Sequence, residues 1–331
     1  MRIFLLILSI FTLLQITGCS TIQNKVESIT GSKFKNDKQA APFFKMIWNR
    51  SFDPIYDSGN LPISLGIPFI FDDLLYVGDQ DGNIYAWNND NGKPLWKFKE
   101  SIALGAQPGI FKDQLIYGSG DGRVFSRHYL TGALNWSVDL GSQVESKPYF
   151  YQGRIFFHLR NHKIISLDAI TGKILWGYQR SVPYSTTLQG VSNPVGIDNK
   201  IIVGFADGVV GAFSIDDGVL LWETKINLGT KFVDVDLNPI IKNDKIYIGT
   251  SGSPINVLNV NNGQLVQTWP QTSSATPLLL NEEMILGSPS GEIFKCDLEG
   301  NIIAQSRVSR RQITDLKVWK ARILVEPPTD T

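Results

Sequence analysis

Self-similarity at a spacing of about forty residues constrains this chain more than any other feature. A unit of that size cannot bury its own apolar face, so each copy has to pack against the next. Glycines that end a turn recur at Gly92, Gly132, Gly172, Gly218, Gly263 and Gly300, at intervals of 40, 40, 46, 45 and 37 residues. Four residues after the first four of them stand Trp96, Trp136, Trp176 and Trp222. The fifth unit shifts its tryptophan to Trp269 and the sixth has none. Each unit opens with a proline: Pro68, Pro108, Pro148, Pro194, Pro239 and Pro277.

Inside a unit the apolar residues fall into four short runs. In the first they are Phe69 to Phe71, Leu74 to Val77, Ile84 to Trp87 and Leu95 to Phe98. Asp81-Gly82 and Asn91-Gly92 between them predict tight hairpins in which both central residues take positive φ. The first dipeptide recurs at Asp121-Gly122, Asp207-Gly208, Ser251-Gly252 and Ser290-Gly291, and in the third unit His162 stands where the glycine would. Four-stranded units of this length in series predict an all-β chain, a β-propeller of antiparallel blades. The tryptophans, recurring at one repeat position, read as packing between blades. Met46-Ile47-Trp48 reads as a fourth strand with none before it. Ile313 to Val318 and Arg322 to Val325 read as first and second strands with none after. N- and C-terminal strands would then share and close the last blade, removing its open edge. Six full units and this shared one make seven blades, with eight as the alternative.

The N-terminus sets the compartment. Arg2 precedes a mostly apolar run from Ile3 to Ile16, shorter than the roughly 20 residues of a spanning helix, so residues 1–18 read as an export signal. Leu14-Gln15-Ile16-Thr17-Gly18-Cys19-Ser20 resembles a bacterial lipobox. That resemblance implies cleavage before Cys19, its diacylation, and attachment of the mature chain to a membrane through lipid. Ser20, in place of an aspartate, points to the outer membrane, with the protein facing the periplasm. Residues 19–42 are the lipidated cysteine and a polar tether, with a reach of roughly 25 Å as coil. Residues 43–326 form the propeller and 327–331 a tail. Without Arg2, 30 basic residues face 31 acidic ones, which offers nothing to nucleic acid. Cys296 is left as a lone thiol, expected to be buried and inert.

The stretch from Asp81-Gly82 through Ala86 and Gly92 to Trp96 resembles the pyrroloquinoline-quinone-type propeller repeat. Two classes carry it: periplasmic quinoprotein dehydrogenases, and the BamB-like propeller lipoproteins of the outer-membrane β-barrel assembly (BAM) machinery. A lipobox, a short tether and a bare propeller are similar to the second. The segment Ser185 to Pro194 resembles a loop of that family, and Lys231 to Pro239 resembles its Asp-Val-Asp loop. The resemblance implies that Leu188, Gln189, Asp234 and Asp236 contact the periplasmic domain of the barrel-inserting, BamA-like outer-membrane protein. It implies a non-enzymatic scaffold, whose blade edges could also pair with nascent outer-membrane β-strands. The chain departs from the family pattern at Gln189, where the family has arginine, and at Thr186, where it has leucine. Gln cannot make the bidentate charged pair of Arg, which puts strength or identity of that contact in doubt. On the residues alone, Asp234 and Asp236 could equally be solvated turn carboxylates.

Other readings are a propeller lipoprotein that binds another envelope protein or a glycan, and a quinoprotein dehydrogenase. The enzyme reading lacks residues: the chain has no paired cysteines and no acidic cluster assignable to a central calcium. His128, His158 and His162 fit no metal spacing, and no nucleophile elbow or phosphate loop occurs. No catalytic residue, metal or cofactor is therefore expected.

Overall fold

The first full unit shows how the repeat becomes structure. β1 (Phe69–Phe71), β2 (Leu74–Gly78), β3 (Asn83–Asn88) and β4 (Pro94–Lys99) pair antiparallel in chain order. The two middle strands are buried almost throughout, because neighbouring sheets cover both faces. β4 alternates exposed and half-buried side chains, as an outer edge does. Five more four-stranded sheets repeat this order over residues 109–139, 149–179, 195–225, 240–273 and 278–307. Asp315–Trp319 pairs with Arg322–Glu326 as a two-stranded sheet. The molecule is thus an all-β propeller of six complete blades and a seventh, partial one. This computed structural model describes residues 46–50, 66–100, 103–104, 106–182, 190–229, 233–319 and 322–326. The chain divides into two units between Ile47 and Trp48, and every sheet belongs to the second.

Each pair of consecutive blades shares its own apolar cluster. Ile116 and Val124 of blade 2 meet Ile155, Phe157 and Ile165 of blade 3. Ile202 and Val210 of blade 4 meet Ile246, Ile248 and Leu258 of blade 5. Ile285 of blade 6 meets Ile313 and Leu316 at the partial blade, with half-buried Ile323 and Val325 beside them. The core is therefore a series of inter-blade layers, as the repeat requires.

The recurring glycine and tryptophan lock these layers together, but across units. Gly172 has φ +70°, and a Cβ there would lie 2.4 Å from Cε3 of Trp136, the tryptophan of the preceding blade. The same contact joins Trp96 to Gly132, Trp176 to Gly218, Trp222 to Gly263 and the displaced Trp269 to Gly300. Only glycine can take that backbone conformation and leave room for the indole. Indole N–H groups then donate to the neighbour's turn, Trp176 to the Ile215 carbonyl at 2.6 Å and Trp222 to Val260 at 3.0 Å. Trp136 donates instead to Gln114 Oε1, and buried Trp269 Nε1 has no hydrogen-bond partner among the described residues.

Two expectations change in detail. The Asp-Gly and Asn-Gly hairpins hold one left-handed residue, not two: Gly82 has φ +81° and Gly92 +66°, while Asp81 and Asn91 stay at negative φ. The loops are longer than two residues, with Gly92 N–H donating to the Asn88 carbonyl, so a right-handed turn followed by a left-handed glycine closes them. Paired left-handed residues occur instead at the first turn of a blade, in Gln152-Gly153 and Asn243-Asp244. His162 does fill a glycine's place, at φ +62°. At the N-terminus, residues 46–50 make no strand pairing; their contribution is Trp48, which lies over Gly92 as the tryptophans of the first five units lie over the next glycine. Its Nε1 donates to the Asn89 carbonyl at 2.6 Å.

Candidate functional site

Strand order puts the hairpins between second and third strands on the same face as the connections between blades. The described parts of the two segments singled out by the sequence, Gly190 to Pro194 before blade 4 and Val233 to Pro239 before blade 5, both belong to that face. Leu188 and Gln189 lie outside the described residues, as does Cys19. The flanks of their segment are well placed. On the entry side Arg180 forms ion pairs with Asp207 at 2.8 Å and Glu223 at 2.7 Å, and its guanidinium packs over the Phe205 ring. On the exit side the Ser192 carbonyl meets Nδ1 of His158 at 3.0 Å. A carbonyl only accepts, so Nδ1 carries the hydrogen. His158 is fully buried, and burial pushes its pKa down to about 4, against the pull of the Ser192 carbonyl, with nearby His162 adding to the drop.

Asp234 and Asp236 are not solvated turn carboxylates. Val233, Val235 and Leu237 point inward, and Val235 packs on Gly204 while its N–H donates to the Phe205 carbonyl. Asp234 is 9% exposed. Asp236 is half-buried, and its Oδ1 accepts the Ser251 N–H at 2.7 Å, tying the segment to the next hairpin. Burial raises the Asp236 pKa, the Ser251 N–H opposes the rise, and Asp234 adds to it. In the same connection Leu228 is 83% exposed, just before Gly229, whose N–H is held by the Asn227 side chain at 3.0 Å.

The structure brings the two segments into contact at their ends. The Asn193 backbone N–H and side-chain amide both donate to Asn238 Oδ1, at 2.8 and 2.9 Å, and Ser192 Oγ donates to the Leu237 carbonyl at 3.3 Å. These residues did not stand out in the sequence. The available signal was an asparagine directly before the opening proline of two successive units, Asn193-Pro194 and Asn238-Pro239. A cavity of about 360 Å³ opens beside the first segment, lined by Leu104, Gln143, Val144, Glu145 and Gly190 among others. Among the described residues no group of three or more His, Cys, Asp or Glu side chains could hold a metal ion.

The family model described as outer membrane protein assembly factor BamB matches residues 45–124 and 80–307, most of the chain. The chain belongs to the BamB family. It is similar to the BamB of Legionella pneumophila, 31% identical over 106 residues, or 30% of this chain and 28% of that one. It is similar also to the BamB of Kangiella koreensis, 30% identical over 160 residues, or 46% of this chain and 37% of that one. The chain thus spans about a third of the length of these BamB relatives. The crystal structure of BamB from Moraxella catarrhalis shares the fold with a TM-score of 0.59 at 16% identity, covering 78% of this chain and 92% of that chain.

Proposed function

We propose that this chain is a non-enzymatic scaffold of outer-membrane protein assembly, held by lipid on Cys19 at the periplasmic side of the outer membrane. It docks on the barrel-inserting subunit through the segments that carry Leu188, Gln189, Asp234 and Asp236. Membership of the BamB family carries this reading. The geometry is compatible with it: two inter-blade segments share one face and are bonded to each other, and segments lying over a rigid scaffold are where binding residues concentrate. With Asp234 buried and Asp236 engaged with Ser251, the acidic pair acts by holding the shape and charge of its segment.

The test is capture from detergent-solubilised membranes with the full chain as bait. Asp234→Asn with Asp236→Asn keeps an acceptor for the Ser251 N–H and removes the charges. The expected result is an unchanged far-UV spectrum and thermal midpoint, with recovery of the barrel-inserting subunit down about tenfold, the scale of a 1.4 kcal/mol loss. Undiminished recovery would remove the acidic pair from the site. Failure of the wild-type chain to recover that subunit at all would remove the function.

A further inference from the structure

We infer that Asn238 joins Gly190–Asn193, before blade 4, and Val233–Asn238, before blade 5, into one docking surface, by gripping Asn193 through both of its amide groups. This rests on the docking reading above and adds a positioning residue to it. One oxygen, Asn238 Oδ1, accepts the Asn193 main-chain N–H at 2.8 Å and its side-chain Nδ2 at 2.9 Å. The Asn193 amide cannot turn over, because its own Oδ1 accepts the Lys147 N–H at 3.1 Å. Two-point contact from a single acceptor fixes orientation as well as distance. Ser192 Oγ adds a bond to the Leu237 carbonyl from inside the protein, where Ser192 is fully buried.

The neighbouring junctions are looser. Other junctions use the residue before the opening proline with single bonds: Lys147 N–H to Asn193 Oδ1 at 3.1 Å, Asn238 N–H to Thr276 Oγ1 at 3.2 Å, and Gln107 Nε2 to the Pro68 carbonyl at 3.2 Å. Among the described residues the double grip occurs where the two candidate docking segments meet. Both asparagines precede proline, which restricts their backbones to extended conformations. The grip therefore passes straight into Val233–Leu237 on one side and Gly190–Ser192 on the other. A partner that reads both segments meets them already at a fixed separation and does not have to order them on binding.

The experiment uses the full chain and the purified periplasmic region of the barrel-inserting subunit from the same organism. Affinity is measured by biolayer interferometry for wild type, Asn238→Ala, Asn238→Asp and Gln107→Ala. Asn238→Ala removes the acceptor; Asn238→Asp keeps it; Gln107→Ala breaks a comparable bond away from the site. The expected outcome is a Kd about tenfold weaker for Asn238→Ala, restored to within about twofold by Asn238→Asp and unaffected by Gln107→Ala. Wild-type affinity in Asn238→Ala overturns the inference, as does a loss that Asn238→Asp fails to restore. If the wild-type chain does not bind, the docking reading falls, and amide exchange without a partner decides the grip. Faster exchange of 190–193 and 233–238 together in Asn238→Ala supports it; a change in one segment alone, or in neither, overturns it.

Discussion

At Gly218 a Cβ would lie 2.5 Å from Cε3 of Trp176, and the backbone is left-handed at φ +72°. Both facts oppose any side chain there. Gly218→Ala should cost at least about 2 kcal/mol, from the left-handed penalty and from overpacking a buried indole, read as a lower urea midpoint with unchanged slope. His158 gives a second residue-scale prediction, with a definite sign. Its folded pKa, about 4, lies below the usual 6.5, because burial disfavours the charged ring. The unfolded chain therefore binds the proton more readily. The contribution of His158 is complete above pH 6.5 and is lost as pH falls toward 4, by up to about 3 kcal/mol. Urea midpoints of wild type and His158→Gln across that range should converge toward pH 4 as the wild type loses its advantage. A wild-type stability independent of His158 across the window would contradict this.

Between blades 1 and 2 the packing includes a charge. Arg127 reaches Glu100 at 2.9 Å, donates to Tyr117 Oη and to the Gly132 carbonyl, and lies over the Phe98 ring at 4.1 Å. Both charged side chains are below a tenth exposed. Removing one partner strands the other, so Arg127→Ala should destabilise by about 3–5 kcal/mol, whereas the surface pair Lys317–Asp315 should be nearly neutral to the same treatment. Strands were the most legible elements: apolar runs bounded by turn dipeptides located Phe69–Phe71, and the other three of blade 1 to within a residue at each end. Turn type was less legible, because Asn-Gly suits both a two-residue hairpin and a longer one ending in a left-handed glycine. The hydrogen bond from Gly92 to Asn88 distinguishes them, and no dipeptide encodes it. For the site, resemblance supplied Asp234 and Asp236 but not their burial. The Asn193–Asn238 grip joins residues 45 apart in sequence, and each alone looks like an ordinary turn asparagine.

Across the whole molecule each blade leans on the next, so damage should spread by neighbourhood. Ending the chain after Gln312 would remove Ile313, Leu316, Ile323 and Val325 from the cluster around Ile285. Hydrogen exchange should then rise in Glu283–Gly287 and Glu292–Asp297 of blade 6, while Arg154–His158 and Lys163–Asp168 of blade 3 stay protected. A uniform rise over all blades would mean that the propeller unfolds as one cooperative body. In each of the first five units the tryptophan sits on the glycine of its successor, and Trp48 sits on the glycine of the first, which gives these five units a key on one flank and a keyhole on the other. Recombination that inserts or removes one whole unit among these five leaves each key filled. A splice through the middle of a unit preserves fit only if the incoming half carries the matching partner. Blade number in such a lineage can thus change by gene rearrangement in whole steps, with no compensating point mutations at the seams.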